Sequence, residues 1–204
     1  MPEPAYSRLH LDERRRQLLD AGAALFAEHA FEEISMRQIA DAAGVSKALL
    51  YHYFPSKTDL FKAAIQDAAT ELQRIIEPQG DGAPIQQLAT SLDAYLRWIE
   101  ANARTWAKFM QSATTLTEAN ELLEGFRTRT MQLLLTQLTG QRTPRPALRN
   151  AIKGWLGYMD AAILDWTQTN DLPRQQLQQL LLAAFGAAIT AAQQADPKIK
   201  LPLP

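Results

Sequence analysis

Cysteine is absent from the 204 residues of this chain, and histidine occurs only three times. Without cysteine there are no disulfide bonds and no thiolate metal sites. His10, His29 and His52 are far apart in the sequence, and none has an obvious carboxylate or nucleophile as a partner. The composition therefore excludes a disulfide framework, and we predict neither a bound metal nor a cofactor.

Long apolar runs and the short motifs of common enzymes are missing as well. No apolar stretch approaches the roughly 18 residues of a membrane span, and the N-terminus has no signal-peptide core. We therefore expect a cytoplasmic protein that does not enter the membrane. There is no Gly-rich phosphate loop, no metal-ligand spacing and no G-x-S-x-G nucleophile elbow. We predict that the protein has no catalytic residues and is not an enzyme.

The chain carries no excess of either charge, since its formal net charge is −1. DNA-binding domains are often basic, so this balance is weak evidence against one, and any positive surface must be local. The basic residues that would supply such a surface are Arg14, Arg15, Arg16, Arg37, Lys47, Lys57 and Lys62.

The most informative stretch runs from Ser35 to Lys57 and reads SMRQIADAAGVSKALLYHYFPSK. Ser35 and Gln38 have the spacing of a capping box, which predicts a helix start. Gly44 stands where a left-handed residue would end that helix, and Ser46 can cap a second one. Two short helices joined by a Gly-containing turn make a helix-turn-helix.

The second helix of this pair is predicted to have two different faces. At 100° per residue its side chains divide into an exposed set and a packed set. The exposed set is Lys47, Ala48, Tyr51 and His52, and the packed set is Leu50 and Tyr53, with Leu49 at the flank. A helix fits the major groove, and lysine, histidine and tyrosine can donate to base edges or phosphates. A similar turn also occurs in ordinary helical cores, where these aromatic residues would only pack.

The segment from about Arg15 to Phe61 resembles the N-terminal domain of the TetR family of bacterial repressors. The resemblance lies in the order LFAE, then IA-x-AGVS, then LYHYF-x-SK-x-DL, and it covers roughly the first third of the chain. It implies that the helix from Ser46 to Phe54 is the recognition helix. The DNA-binding residues are then Ser35, Arg37, Ser46, Lys47, Ala48, Leu49, Tyr51, His52, Tyr53 and Lys57.

Two residues of the reading helix depart from the family pattern. Ala48 stands where the family commonly has glycine, and Leu49 where a small hydroxyl residue is usual. Leu49 can offer only apolar contact, for instance to a thymine methyl group. The operator sequence therefore stays open, although the fold assignment does not change.

Beyond this stretch, apolar residues recur at three- and four-residue steps. We predict an all-α protein of about nine helices. Residues 1–57 form a three-helix helix-turn-helix DNA-binding domain, and residues 58–204 a six-helix ligand-binding and dimerisation domain. Ser56 with Asp59, and Thr115 with Glu118, have the spacing of helix caps. Residues 1–11 are expected to be a loosely ordered arm, and residues 77–84 a turn at the edge of the second domain.

The last two predicted helices combine apolar stripes with small residues at neighbouring positions. These small residues are Gly154, Gly157, Ala161 and Ala162 on one helix and Ala183, Ala187, Ala188 and Ala191 on the other. Small-residue faces let helices approach closely, so two such pairs around a two-fold axis would form a four-helix bundle. The TetR resemblance implies the same dimer interface. We predict interface contacts at Ala162, Trp166, Leu181, Ala184, Phe185 and Ala188, with burial inside one subunit as the open alternative.

The predicted second domain is also rich in aromatic and methionine side chains. Together with a few polar groups such as Asp160, they are suited to line an apolar pocket. The pocket candidates are Trp98, Trp106, Phe109, Met110, Phe126, Thr130, Trp155, Tyr158 and Met159, and for any single one of them plain core packing is the better explanation. An apolar or aromatic small-molecule effector is expected. A buried Asp160 or Asp165 would instead favour a cation.

These features together predict a ligand-responsive transcriptional regulator that binds a palindromic operator in double-stranded DNA as a homodimer. The resemblance implies a repressor in which the effector moves the long fourth helix and releases the DNA. Recognition helices about 34–36 Å apart would meet successive major-groove faces. A helical protein-binding adaptor and a DNA-binding regulator without a ligand stay open as alternatives. An adaptor would not explain Lys47, Tyr51 and Lys57 together.

Overall fold

The computed structural model of the chain describes residues 5–77, 82–140 and 144–201. In these residues the chain forms nine α-helices, one 3-10 turn and no strand, which confirms the all-α prediction. The helices are α1 (Ala5–Glu28), α2 (Met36–Ala42), α3 (Lys47–Tyr53), α4 (Lys57–Ile76), α5 (Pro84–Ala101), α6 (Ala103–Thr115), α7 (Thr117–Thr139), α8 (Pro146–Thr169) and α9 (Arg174–Ala195). The 3-10 turn, Phe31–Glu33, lies between α1 and α2. Within the described stretches, no helix has the length and apolar character needed to cross a bilayer.

The first helix starts earlier than predicted. α1 begins at Ala5, so the loosely ordered arm was wrong for residues 5–11. Between Pro4 and Gly22 the sequence has neither proline nor glycine, and nothing there ends a helix. Residues 1–4 of the predicted arm lie outside the described residues, as do residues 78–81 of the predicted turn at 77–84.

Of the two later capping predictions, one is confirmed and one is wrong. The Asp59 amide donates to Ser56 Oγ at 3.1 Å and so caps α4. Thr115 is instead the last residue of α6, and its hydroxyl donates to the Ser112 carbonyl at 3.3 Å. A threonine inside a helix bonds back in this way to a carbonyl of the preceding turn. Thr115 therefore ends α6 and does not cap α7.

The chain divides into two compact units. The first unit comprises Met1–Thr70 and Arg104–Leu122, and the second comprises Glu71–Ala103 and Leu123–Pro204. The predicted boundary after residue 57, the first residue of α4, stays a prediction. In the first unit the buried apolar side chains of the N-terminal helices include Leu18, Leu19, Phe26, Ile39, Leu50, Phe54, Leu60 and Phe61.

α1 and α4 approach each other closely at Gly22. A Cβ atom at this position would lie 2.8 Å from Leu60 Cδ2 and 3.1 Å from Leu60 Cγ. Leu60 is fully buried, so its side chain has little room to move aside. Phe26, one turn further along α1, packs edge-on against Phe61 with ring centroids 4.9 Å apart. The closeness of the two helices therefore depends on the absence of a side chain at residue 22.

The core of the second unit is centred on α8 and α9. The Trp155 indole donates to the Leu181 carbonyl at 2.9 Å, and its ring packs edge-on against Phe185 with centroids 4.9 Å apart. The Trp166 indole donates to the Leu172 carbonyl at 2.7 Å, in the turn between the two helices. Large rings thus fill the space between the helices while their N–H groups stay paired, as burial of tryptophan requires.

α5 is joined to α9 by polar side chains. Gln178 donates to the Ala89 carbonyl at 2.8 Å. Arg174, in the first turn of α9, donates to Glu100 at 2.7 Å and lies 3.4 Å from Asp93. Both of these carboxylates belong to α5. The start of α9 is therefore held by charge as well as by apolar burial.

Asp160 is the one charged residue that is buried among those described. Its Oδ2 accepts from Arg127 Nε at 2.7 Å and lies 2.6 Å from Arg127 Nη2. Arg127 also donates to Glu124 at 2.6 Å. Burial raises the pKa of the Asp160 carboxyl, and the opposing attraction of the Arg127 guanidinium does not cancel this rise. A buried carboxyl of this kind favours folding most when it is protonated.

Enlarging Gly22 should destabilise the fold. We expect Gly22→Val to lower the free energy of unfolding by about 1–3 kcal/mol, the usual range for overpacking a buried site. Ala24→Val, at an exposed position of the same helix, is the matched control and should change it by no more than about 0.5 kcal/mol. Urea unfolding followed by circular dichroism measures both. Equal midpoints for the two variants would contradict the close approach at Leu60.

Asp160 should give the stability a specific pH dependence. Since its folded pKa is raised above the ordinary value of 3.8, its stabilising contribution is complete below that value and is lost as the pH rises through the folded pKa. The unfolding free energy of the native chain minus that of Asp160→Asn should therefore fall as the pH rises above about 4. Urea titrations across this range test it. A difference that increases with pH would mean that pairing with Arg127 outweighs burial.

Candidate nucleic-acid interface

Reciprocal hydrogen bonds fix the start of α2. The Ser35 amide donates to Gln38 Oε1 at 2.8 Å, and the Gln38 amide donates back to Ser35 Oγ at 3.3 Å. The predicted capping box is therefore confirmed. It satisfies two of the N–H groups that a helix start leaves without a partner.

The turn between α2 and α3 is built around Gly44, whose φ of +66° is left-handed. The Gly44 amide donates to the Asp41 carbonyl at 3.1 Å, and the Val45 amide donates to the Ala40 carbonyl at 3.0 Å. This pair of bonds is a Schellman ending, which a glycine adopts without strain. The prediction that Gly44 ends the helix is confirmed.

α3 begins with a cap and ends in the core. Ser46 Oγ accepts from the Leu49 amide at 3.2 Å, and Phe54, which follows the helix, is only 2% exposed. Leu50 is fully buried. These two apolar residues anchor the helix, so the orientation of its outer face is fixed.

The two predicted faces of α3 are confirmed. The residues predicted to face outward, all of them exposed, are Lys47, Ala48, Tyr51 and His52. On the packed side Leu50 is fully buried, whereas Tyr53 is only half-buried, as is Leu49 at the flank. Ser35 and Arg37 are exposed at the start of α2. The structure therefore brings most of the predicted DNA-binding residues to the solvent-facing sides of two adjacent helices. Their contacts with DNA stay predictions.

Two weak interactions order this surface. The Lys47 ammonium lies 5.6 Å from the centre of the Tyr51 ring, one helical turn away. Arg37 lies 3.8 Å from Asp41, with the two side chains 83% and 72% exposed. An exposed ion pair of this kind contributes little, and a phosphate would compete with it easily. The positive groups are therefore loosely held and accessible.

The Lys57 ammonium, which was predicted to contact a DNA phosphate, is bonded within the chain. Its Nζ donates to the Phe31 carbonyl and to the Ile34 carbonyl, each at 2.7 Å. The ammonium also lies 4.2 Å from the centre of the Phe31 ring. An ammonium has three donors, so two are already used within the chain. A phosphate contact through the remaining donor stays a prediction.

Two side chains of α1 support the helix-turn-helix and were missed from the sequence. Gln17 donates to the Ala43 carbonyl at 3.0 Å, and so satisfies a C-terminal carbonyl of α2. The Arg15 guanidinium lies 5.1 Å from the centre of the Phe54 ring. Each partner is more than 25 residues away in the sequence, so no local spacing could reveal the contact.

The pocket candidates do not form one group within either unit. Trp106, Phe109 and Met110 belong to the first unit, and the other six belong to the second. Two of those six need correction. Trp155 is packed between α8 and α9 through its contacts with Leu181 and Phe185, and Tyr158 is 42% exposed. The candidates of the second unit that remain are Trp98, Phe126, Thr130 and Met159.

The predicted dimer residues also need correction. Trp166, Leu181 and Phe185 are 5%, 0% and 2% exposed, because the apolar stripes of α8 and α9 pack against each other within one chain. Ala162, Ala184 and Ala188 are half-buried. The exposed residues of the two helices include Gly154, Gly157, Tyr158 and Ala161 on α8 and Leu180, Ala183, Ala187 and Ala191 on α9. We call these eight residues the small-residue face.

Comparison with known proteins gives regulators of transcription rather than enzymes, as the sequence predicted. The chain is 33% identical to the transcriptional activator FasR of Mycolicibacterium smegmatis over 102 residues, which are 48% of this chain and 46% of FasR. It is 40% identical to the transcriptional repressor KstR of Rhodococcus jostii over 72 residues, which are 35% of this chain and 32% of KstR. The chain therefore spans less than half the length of each of these relatives.

A solved structure is similar over nearly the whole chain. A tetR-family transcriptional regulator from Streptomyces coelicolor matches with a TM-score of 0.82 and 27% identity, over 92% of this chain and 85% of that one. Residues 18–64 match the family described as bacterial regulatory proteins, tetR family. Residues 84–188, about half of the chain, match the tetracyclin repressor-like C-terminal domain. The geometry of α2 and α3 and these matches agree, and the chain belongs to the TetR family of bacterial regulatory proteins.

Proposed function

We propose that this chain is a transcriptional regulator that binds a palindromic operator in double-stranded DNA as a homodimer. The outward face of α3 carries the proposal, because Lys47, Tyr51 and His52 are exposed there while Leu50 and Phe54 hold the helix from the other side. This face therefore offers an ammonium, a phenol and an imidazole together to solvent. These groups can donate to base edges and phosphates.

The short length of α3 and the small side chain of Ala48 support close approach to a duplex. α3 has seven residues, and at about 1.5 Å per residue it is roughly 10 Å long, which suits the major groove. Ala48 is exposed and projects little beyond the backbone. Half-buried Leu49 can add apolar contact at the edge of the same face, for example with a thymine methyl group.

The small-residue face supports a homodimer. A Cβ atom added at Gly154 or Gly157 would meet no described atom outside the helix's own backbone within 4 Å. Glycine inside a helix costs roughly 0.5–1 kcal/mol relative to alanine, and packing within this chain gives no reason to accept that cost. Close packing against α8 and α9 of a second copy would give one. Exposed Tyr158 and Leu180, 42% and 48% accessible, would be covered at the same time.

The second unit is proposed to bind a small-molecule effector that releases the DNA, so that the protein acts as a repressor. The relatives include both a transcriptional activator and a transcriptional repressor. Asp160 is already paired with Arg127, so it does not favour a cationic ligand. The partly exposed Trp98, Phe126 and Thr130 support an apolar or aromatic molecule instead.

Selection of genomic DNA fragments by the purified protein tests the proposed function. We expect enrichment of a palindrome whose half-sites lie about one helical turn, or a multiple of it, apart. Bound protein should protect both halves of the palindrome. Protection is mapped at near-physiological salt, because operator affinity depends strongly on salt concentration. No enrichment over random DNA would contradict the proposal and would favour a protein-binding adaptor.

Lys47 should determine which sequences are selected. We expect Lys47→Ala to change the preferred base at one position of each half-site and to weaken binding to the original operator by about 1–3 kcal/mol, the value of a base-edge contact. The control is Lys198→Ala, which removes an exposed lysine from the second unit and should leave the profile unchanged. Repeating the selection with both variants provides the measurement. An unchanged profile for Lys47→Ala would remove this residue from base reading.

Gly157 should be essential for the dimer. We expect Gly157→Leu to raise the dimer dissociation constant by about ten-fold or more, because a bulky side chain overpacks a close interface at a cost of roughly 1–3 kcal/mol. The matched control is Gly125→Leu on α7, where an added Cβ would meet only Arg129 at 4.0 Å among the described residues. Sedimentation velocity measures association, and circular dichroism shows whether both variants fold. A folded Gly157→Leu variant that dimerises normally would contradict this interface.

A further inference from the structure

Lys57 occupies a position that helix electrostatics alone would disfavour. It is the first residue of α4, where the unpaired N–H groups give the helix a positive end. Asp59 in the same turn suits this end, whereas a cation does not. The reason for a lysine must therefore lie in the contacts of its side chain.

Those contacts are short and partly buried. The ammonium donates to the carbonyls of Phe31 and Ile34 at 2.7 Å each. It also lies 4.2 Å from the centre of the Phe31 ring, close enough for cation–π attraction. Hydrogen bonds from a charged donor are stronger than those between neutral groups, and more so when water is partly excluded. Lys57 thus binds two peptide groups and one ring at a single point.

The two carbonyls belong to the segment that leads into α2. Phe31 opens the 3-10 turn, and Ile34 directly precedes Ser35, the residue that caps α2. The Phe31 ring is held independently by α4, because it lies 5.0 Å from the Phe61 ring, one turn after Lys57. The entrance of α2 is therefore fixed to the first two turns of α4 by a backbone contact and by a ring contact.

We infer that Lys57 is a positioning residue. Its ammonium holds the entrance of α2 against the start of α4 and so fixes the position of the helix-turn-helix relative to α4. This inference rests on the proposed DNA-binding function. Lys57 then supports operator binding chiefly in an indirect way, because its bonds to the Phe31 and Ile34 carbonyls hold α2 in position. A displacement of the first turn of α4 is passed directly to α2 through the same bonds.

Hydrogen exchange of the DNA-free protein tests the structural part of this inference. In Lys57→Ala the amides of residues 31–39 should exchange at least several-fold faster than in the native chain, because the segment loses its attachment to α4. The control Lys62→Ala removes one positive charge from the same helix and should leave this exchange unchanged. Mass spectrometry of the corresponding peptide measures it. Equal exchange in Lys57→Ala and the native chain would overturn the inference.

Operator binding at several salt concentrations tests the functional part, and Lys57→Arg is the informative variant. Arginine keeps the charge and binds phosphate well, but its planar fork does not reproduce a compact ammonium between two carbonyls. We expect Lys57→Ala and Lys57→Arg to weaken binding by about ten-fold or more, with a salt slope within roughly 0.3 of the native value. Full affinity in Lys57→Arg, with a slope lowered by about 0.9 in Lys57→Ala, would show a phosphate contact instead. If the native chain selects no DNA, the proposed function fails, while the exchange experiment still decides the role of Lys57.

Discussion

The helix-turn-helix depends on satisfying backbone groups at helix ends. α2 and α3 have only seven residues each, and a helix leaves its first four N–H groups and last four carbonyls without internal partners. Most peptide groups of such short helices must therefore be paired from outside. Ser35 with Gln38 and Ser46 supply local partners at the two starts, and Gln17 from α1 supplies one at the end of α2. Neither helix would hold its orientation without these side chains and the apolar anchors beneath them.

The second unit depends on the faces of long helices rather than on their ends. α8 and α9 have 24 and 22 residues, so their ends matter less than their faces. The inward faces carry large side chains, and the indole of Trp155 even bonds to a carbonyl of the opposite helix. The outward faces carry mainly glycine and alanine, with the exposed Tyr158 and Leu180 beside them. Large residues inside and small residues outside give a pair of helices that is complete as a core and still able to accept a close neighbour.

How much the sequence could predict depended on the distance between interacting residues. The caps at Ser35, Ser46 and Ser56 are made within three residues, and the two faces of α3 follow from helical periodicity, so both were predictable. The contact of Lys57 with Phe31 and that of Gln17 with Ala43 join residues 26 apart in the chain, and no short pattern announces them. Periodicity also shows only which face of a helix is apolar. It does not tell whether the chain itself or a second copy covers that face, and for this reason Trp166, Leu181 and Phe185, which are buried within one chain, were assigned to the dimer interface.

The distribution of indole side chains gives the molecule a built-in optical reporter. The four tryptophans, Trp98, Trp106, Trp155 and Trp166, all follow α4 in the chain, and the helix-turn-helix contains none. Trp155 and Trp166 are 4% and 5% exposed and bonded to carbonyls within the α8–α9 pair, so their emission reports the packing of these helices. A fluorophore attached near α3 would therefore have no tryptophan of the helix-turn-helix beside it. The native emission of Trp155 and Trp166 at the same time follows the second unit, whereas Trp106 belongs to the first unit, as the helix-turn-helix does.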